Sequence, residues 1–323
     1  MLRPNRKITT IRTDAAGCVP TEKPPRSVRT PQAASQQKSH HIRTHAACCV
    51  PTERSPVHIF DAIRARHTTN GPFDPRPIDP DQLQTILELA ARAPSHFNAQ
   101  PWRFVVVQDA ERRAALAEIA GTSMRDLMTD GRFWQQYRRF FRFSDEEVAA
   151  TRDGIHFDNM PGVLKPFARY LFTDRGAQMM NTFQVPRVLG NDARKLVAGS
   201  PVLLGLALSR ELYQPGELTG LYTLISLGAV VQTIWLAATS FGMGLQFVST
   251  PQEIPAQWAL VSTMLEVPDD FELMLLLRLG YEPTEARRPT IDWSSPQRKD
   301  IDELAFRERW GQPWDAGGAA QIP

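Results

Sequence analysis

The segment Gly220–Phe241, GLYTLISLGAVVQTIWLAATSF, constrains this chain most: it reads as one long helix without a single Asp, Glu, Lys or Arg. A helix that is apolar on most sides cannot lie on an aqueous surface. It has to be enclosed by other layers, by a second subunit or by lipid. Its length would span a bilayer, which takes about 20 residues. However, Thr223, Ser226, Gln232, Thr233, Thr239 and Ser240 interrupt it, and no basic flank sits beside it. A helix inside a large core or a subunit interface, with no membrane partner, is therefore the expectation.

Layers to enclose such a helix can be read on both sides of it. Arg103–Gln108 (RFVVVQ), Val202–Leu208 (VLLGLAL) and Leu273–Leu279 (LMLLLRL) are β-branched or continuously apolar runs of strand length. Between them lie helical patterns. Val57, Phe60 and Ile63 share a helix face. Asp79, Pro80 and Gln82 form an N-terminal signature, with Asp79 as N-cap, Pro80 at the first helical position and Gln82 closing a capping box. Leu83, Ile86, Leu87 and Ala90 follow as a buried stripe up to Pro94, and Asp109 caps a helix expected to reach about Ala120. Strands separated by helices predict an α/β or α+β layered sheet.

The formal charge of +2 hides an asymmetry. Residues 1–56 hold ten Lys/Arg against three Asp/Glu, whereas the rest of the chain is mildly acidic. This basic stretch is rich in Pro, Ser, Thr and Gln and has no apolar periodicity, so it is expected to be a disordered tail. It carries a duplication: IRTDAAGCVPTE at Ile11–Glu22 returns as IRTHAACCVPTE at Ile42–Glu53. Two hydrophilic copies do not build a solenoid. A targeting presequence lacks its apolar region here, and a binding arm or translated upstream sequence are the other readings. The folded domain is expected to be 57–323. All three cysteines, Cys18, Cys48 and Cys49, lie in the tail. That excludes a disulfide framework for the domain and agrees with a reducing, cytoplasmic setting. With the basic charge confined to the tail, no nucleic-acid surface is expected on the domain.

Residues 122–195 differ in character, being rich in Arg, Asp and aromatics and broken by Gly154, Pro161, Gly162 and Pro166. Ser144 and Glu147 read as a second capping box. Two or more amphipathic helices forming an inserted cap are expected there. Phe133, Trp134 and Tyr137, with Phe140 and Phe141, either line a substrate pocket or pack as a helix face, the latter being favoured.

Common catalytic signatures are absent. There is no GxSxG elbow and no GxxxxGK[ST] loop. Gly242-Met243-Gly244 lacks the third glycine of a dinucleotide fingerprint and follows a helix where that fingerprint needs a strand. His58, His67, His96 and His156 show no metal-ligand spacing, so no metal is expected.

Arg66-His67-Thr68, Ala93–Trp102, Gly242–Thr250 and Arg287-Arg288-Pro289 together resemble the nitroreductase-like FMN-dependent oxidoreductases. Arg66-His67-Thr68 matches the family's Arg-[Arg/His]-[Ser/Thr] triplet, whose guanidinium and hydroxyl suit a phosphate dianion. Ala93–Trp102, APSHFNAQPW, matches APS-x-x-N-x-QPW directly before a strand, which places flavin contacts on Pro94, Ser95, His96 and Asn98. His96 stands where many members carry a small hydroxyl residue, and Gln100 and Trp102 are assigned to the turn and its packing. Gly242–Thr250, GMGLQFVST, resembles the family segment whose backbone N–H faces flavin N5; by position this falls on Val248, Ser249 and Thr250. Arg287-Arg288-Pro289 resembles the basic residue that completes the phosphate site.

The resemblance implies an α+β fold, a three-layer α/β/α sandwich with a mixed central sheet, FMN as cofactor, NAD(P)H as co-substrate and a homodimer with FMN at its interface, the long helix being the dimer element. It implies ping-pong hydride transfer through flavin N5 to an electron-poor small molecule such as a nitroaromatic or quinone, without a dedicated catalytic side chain. Reductive dehalogenation, flavin destruction, heterocycle dehydrogenation and simple FMN sequestration share the same likeness. Asn191 falls where some relatives place a flavin-contacting Asn. Asn70 stands where some have Lys or Arg facing the flavin pyrimidine edge. Without that cation a lower flavin reduction potential is expected.

Overall fold

The computed structural model describes residues 58–157, 165–284 and 295–314. In chain order the elements are α1 (Ile59–Ala65), α2 (Pro80–Ala91), β1 (Trp102–Val107), α3 (Ala110–Asp130), α4 (Arg132–Tyr137), β2 (Phe141–Arg142), α5 (Asp145–Thr151), β3 (Ile155–His156), α6 (Asp174–Thr182), α7 (Val185–Ala198), β4 (Val202–Ser209), α8 (Leu218–Ser240), β5 (Met243–Phe247), α9 (Pro255–Met264), β6 (Phe271–Tyr281) and α10 (Ile301–Leu304). The tail and the pair Arg287 and Arg288 lie outside the described residues.

The main sheet has the order β1-β4-β6-β5, with antiparallel ladders throughout. Thr68 adds a parallel bridge to Leu245 beyond β5, which makes the sheet mixed. β4 shows why the sheet is a middle layer. Val202, Leu204, Leu206 and Leu208 pack with Leu83 and Ile86 of α2 and with Leu227, Val230 and Ile234 of α8. Leu203 points the other way, into Leu116 and Ala117 of α3 and Val261 of α9. Strand periodicity thus divides one apolar run between two helical layers. The β5 strand is an addition to the three read from sequence. Its five residues include a glycine and a glutamine, a pattern too short and too mixed to read as strand.

α8 resolves its polar residues internally. The hydroxyls of Ser226, Thr233, Thr239 and Ser240 donate to the carbonyls of Tyr222, Ala229, Trp235 and Leu236, one turn back, and Thr223 donates to Leu212 O. One long face is buried against the sheet, through Val230, Ile234 and Ala238. Near its start Leu218, Leu221, Leu224 and Ile225 are exposed. The stripe expected on α1 behaves alike. Ala62 is its buried residue, whereas Phe60 and Ile63 are exposed.

Local caps follow the sequence with two departures. Asp79 accepts from Asp81 N at 2.9 Å and Asp109 from Arg112 N at 2.8 Å. Gln82, however, does not close a box; its Oε1 accepts the Tyr281 hydroxyl at 2.7 Å, tying α2 to the end of β6. α3 runs ten residues beyond Ala120, to Asp130, before Gly131 at φ +76° ends it. The extension is stabilised by tertiary packing that no local pattern announces. α3 lies against α7 where Gly121 and Gly190 meet: a Cβ on Gly190 would sit 2.6 Å from Gly121 O.

Between α3 and α7, Trp134, Phe141, Phe157 and Phe172 pack with Met128 and Met180 into a separate apolar cluster, braced by the β2–β3 ribbon. Ser144 accepts from Glu147 N, and Glu147 Oε2 accepts from Phe143 N at 2.7 Å, one residue before the N-cap. This cap has its own core, so Trp134 is a buried packing residue and does not open into a pocket. Phe133 packs against the same cluster.

Candidate functional site

Residues Arg66–Phe73 follow α1 and cross the β5–β6 end of the sheet. His67 O accepts from Trp235 Nε1 at 3.1 Å, and Thr69 N donates to Leu245 O at 3.2 Å. The Arg66 guanidinium lies over the Trp235 ring, 4.7 Å from its centroid. Close approach of this segment requires Gly244, where a Cβ would sit 2.0 Å from Thr69 Oγ1.

Arg66 and Thr68 line a cavity of about 460 Å³ with Arg152, Asp153, Gly154, Gln297, Arg298 and Lys299, and the Asp153 carboxylate is paired with Arg142. The far wall is pinned from the cap. Arg152 pairs with Asp300 and Glu303, and Gln297 Nε2 donates to Gly154 O at 2.8 Å. Lys299 reaches Glu303 at 3.9 Å. Among the described residues no carboxylate pairs with Arg66 or Arg298. Burial, and then the facing Arg298, lower the Arg66 pKa, as expected when two guanidinia share a cleft. The Thr68 hydroxyl also has no protein partner among the described residues. Arg298 Nη1 donates to Ser295 O and Gln297 O, and with Asp153 taken by Arg142 the two guanidinia and the open Thr68 hydroxyl could receive an anion.

His67 turns away from this cavity. Its Nε2 lies 2.9 Å from Glu282 Oε1, and its Nδ1 is 3.0 Å from Ala65 O. The Glu282 hydrogen bond raises the His67 pKa to about 9. In return His67 lowers that of Glu282, which also accepts from Thr69 Oγ1 at 2.5 Å. His67 is thus a cation that braces the triplet and is not itself open to the cavity.

Asn70 is held by neighbours. Its Nδ2 donates to Thr68 O at 3.2 Å, and its Oδ1 accepts from Gln246 Nε2 at 2.9 Å. Gln246 Oε1 in turn accepts from Arg278 Nε at 2.5 Å. Arg278 is 1% exposed, and burial pushes its pKa down to about 9, so it is charged at neutral pH.

The loop Pro94–Asn98 sits further along α8. His96 N donates to Ser226 Oγ at 3.3 Å, and the His96 ring stacks on Tyr222 at 4.4 Å. Ser95 Oγ accepts from Gln100 N at 3.0 Å, while Asn98 Oδ1 accepts from Gln100 Nε2 at 3.2 Å. Trp102 is buried. Phe97, Asn98 and Gln100 all have φ near +50°, costly for residues with a Cβ, and Phe97 is 91% exposed. Ser226 and Trp235 are nine residues apart on α8, roughly 14 Å of helix. Within one chain the loop and the Arg66 cavity therefore lie at separate stretches of α8.

Of the three residues after β5, Val248 is committed: its N–H donates to Leu276 O at 2.8 Å and its side chain is buried. This removes Val248 as a free backbone donor and leaves Ser249 and Thr250. The Thr250 hydroxyl contacts Ala120 O at 3.4 Å. Just beyond, Glu253 accepts from the Tyr137 hydroxyl, linking the cap to this turn and raising the Tyr137 pKa to about 12. Asn191 is exposed on α7, with no bond to any of these segments among the described residues. None of the described residues form a group of three or more His, Cys, Asp or Glu placed to hold a metal ion.

Sequence reasoning missed Arg298, Lys299, Trp235, Glu282 and Arg278. Arg298, Lys299 and Glu282 belong to segments with no pattern of their own, and Trp235 is one more apolar residue in the long helix, with nothing local to single it out. Arg278 left a readable signal, a single charge inside the apolar run LMLLLRLGY.

The model of the nitroreductase family matches residues 63–281 of this chain. The chain belongs to the nitroreductase family. Its curated relatives include an inferred NAD(P)H nitroreductase of Streptococcus pyogenes, 50% identical over 46 residues, which are 14% of this chain and 22% of that protein. An NADH dehydrogenase of Thermus thermophilus is 52% identical over 44 residues, 14% of this chain and 22% of that protein. The match thus spans about a fifth of the length of these two relatives. Among solved structures, the FMN and NADPH-dependent nitroreductase NfnB of Sphigopyxis sp. strain HMH aligns at a TM-score of 0.48 and 22% identity, covering 79% of this chain and 100% of that one.

Proposed function

We propose that this protein is an FMN-dependent oxidoreductase that passes hydride from NAD(P)H to an electron-poor acceptor such as a nitroaromatic or quinone. The observation that carries this reading is the cavity of Arg66, Thr68 and Arg298 in a nitroreductase-family chain. A phosphate monoester fits that donor set. Two guanidinia oppose its two negative charges, and the Thr68 hydroxyl can donate to a remaining oxygen.

When bound, FMN supplies hydride acceptance and donation at N5. The chain's own groups would hold and orient it. Arg66, Thr68 and Arg298 take the phosphate. Asn70 offers its amide to the polar edge of the ring. Ser249 and Thr250, after β5, would offer their backbone N–H groups to the ring, and Tyr137 ties the cap to that turn through Glu253. The transferred group is a hydride, and no side chain is assigned as a dedicated acid or base.

The Pro94–Asn98 loop is the second wall, and we assign it to the site of a partner copy. Three supports converge: its distance from Arg66 along α8, its strained and exposed backbone, and the exposed apolar residues Leu221, Leu224 and Ile225 beside it. A homodimer would cover that surface and bring each loop to the other chain's cavity.

The visible spectrum of the purified protein, with its cofactor released and identified, tests this directly. Yellow protein that releases FMN, and that oxidises NADPH or NADH in the presence of a quinone or nitroaromatic, is expected. Colourless protein that does not take up added FMN would overturn the proposal.

A further inference from the structure

Arg278 is a buried cation with no counter-ion among the described residues. It sits in the central strand β6, is 1% exposed and has no carboxylate at ion-pair distance among the described residues. An isolated buried charge is expensive, and an apolar residue of similar size would suit the strand. Its bonds are directional. Nη2 donates to Thr69 O at 2.6 Å and to Gly71 O at 2.9 Å, and the Phe73 ring lies 4.5 Å from Cζ. Nε donates to Gln246 Oε1, while Nη1 has no partner among the described residues.

A guanidinium has donors and no acceptor. Gln246 must therefore turn its oxygen to Arg278 and its NH₂ to Asn70. Asn70 must in turn accept through Oδ1 and use Nδ2 as donor. Nδ2 carries two hydrogens, and Thr68 O takes one. The other is left for a ligand. The Arg278–Gln246–Asn70 chain thus fixes the polarity of an amide that could otherwise flip.

We propose that Arg278 is a positioning residue for the flavin: it locks Asn70 as a hydrogen-bond donor and places an uncompensated positive charge two side chains behind it. This rests on the flavin reading above and amends the expectation drawn from Asn70 alone. The cation missing at position 70 is supplied from β6, so the bound flavin is expected to be easier to reduce than an isolated Asn would make it.

Gln246→Glu tests this. A carboxylate there satisfies Arg278 Nε at least as well and cancels its charge, so Thr69 and Gly71 remain tied. Full-length protein would be titrated with FMN by flavin fluorescence, and the midpoint potential of the bound flavin measured by spectroelectrochemistry. The expected result is a dissociation constant raised on the order of tenfold, as for one lost hydrogen bond, and a potential shifted negative, with a thermal midpoint no lower than wild type. Arg278→Met is expected to shift the potential in the same direction, and Gln246→Glu decides alone if that variant does not fold. Unchanged affinity and potential in a Gln246→Glu protein that binds FMN would overturn the positioning role and leave the flavin reading intact. Wild-type protein that binds no FMN would overturn both.

Discussion

His67 Nε2 and Glu282 Oε1, 215 residues apart in sequence, meet at 2.9 Å and tie the segment after α1 to the end of β6. Thr69 Oγ1 shares the same carboxylate oxygen. The phosphate triplet is therefore braced by a pair that neither half of the sequence announces.

That pair predicts a pH window. The Glu282 bond raises the His67 pKa from 6.5 to about 9, so its stabilisation is full below about 6.5 and is lost as pH rises through 9. The Glu282 pKa is lowered from 4.5, chiefly by His67, so its share is present above 4.5 and is lost as pH falls through the lowered value. The thermal midpoint difference between wild type and His67→Gln is expected to be largest between pH 5 and 6.5 and to vanish above pH 9. A difference that is constant across this range would refute the pairing. Both side chains are too exposed for this to be a large term in stability.

At the other end of the core, Gly190→Val should drive a side chain into the backbone of α3. Even a Cβ would stand 2.6 Å from Gly121 O. Overpacking of this kind costs about 1–3 kcal/mol, read as a lower urea midpoint at unchanged slope. Wild-type stability would mean that α3 and α7 can part without loss.

Arg66→Ala should weaken FMN binding by about 1.5–3 kcal/mol, the range for a hydrogen bond to a charged group. Arg298→Ala should do the same if the two guanidinia share one phosphate. The check is a titration of each variant and of the double variant. Losses that merely add would place the two residues on separate ligands, whereas a shared phosphate makes them non-additive.

The exposed start of α8 gives a separate prediction. Leu221→Glu with Ile225→Glu places two like charges one turn apart on the surface assigned to the partner. Light scattering is expected to show a monomer with folded secondary structure and poor FMN retention. A monomer that keeps FMN at wild-type affinity would show that one chain suffices for the site.

Much of this is legible in the sequence alone. Apolar runs such as Val202–Leu208 and the uncharged Gly220–Phe241 fix strands and a buried helix because each is a local pattern with one way to hide from water. The Asp79 and Asp109 caps are local too, as is the loop from Pro94 to Trp102, whose residues bond among themselves. What only the tertiary structure decided is pairing across distance. α3 runs on to Asp130 because Gly121 can touch Gly190. Gln82 abandons its helix cap because Tyr281 is there. Arg298 faces Arg66 because Arg152 clips the C-terminal segment, and Arg278 stands behind Asn70 because β5 and β6 share a register. Local sequence specifies what a residue offers, a donor, a charge or a bare Cα, and only the folded chain specifies which group receives it.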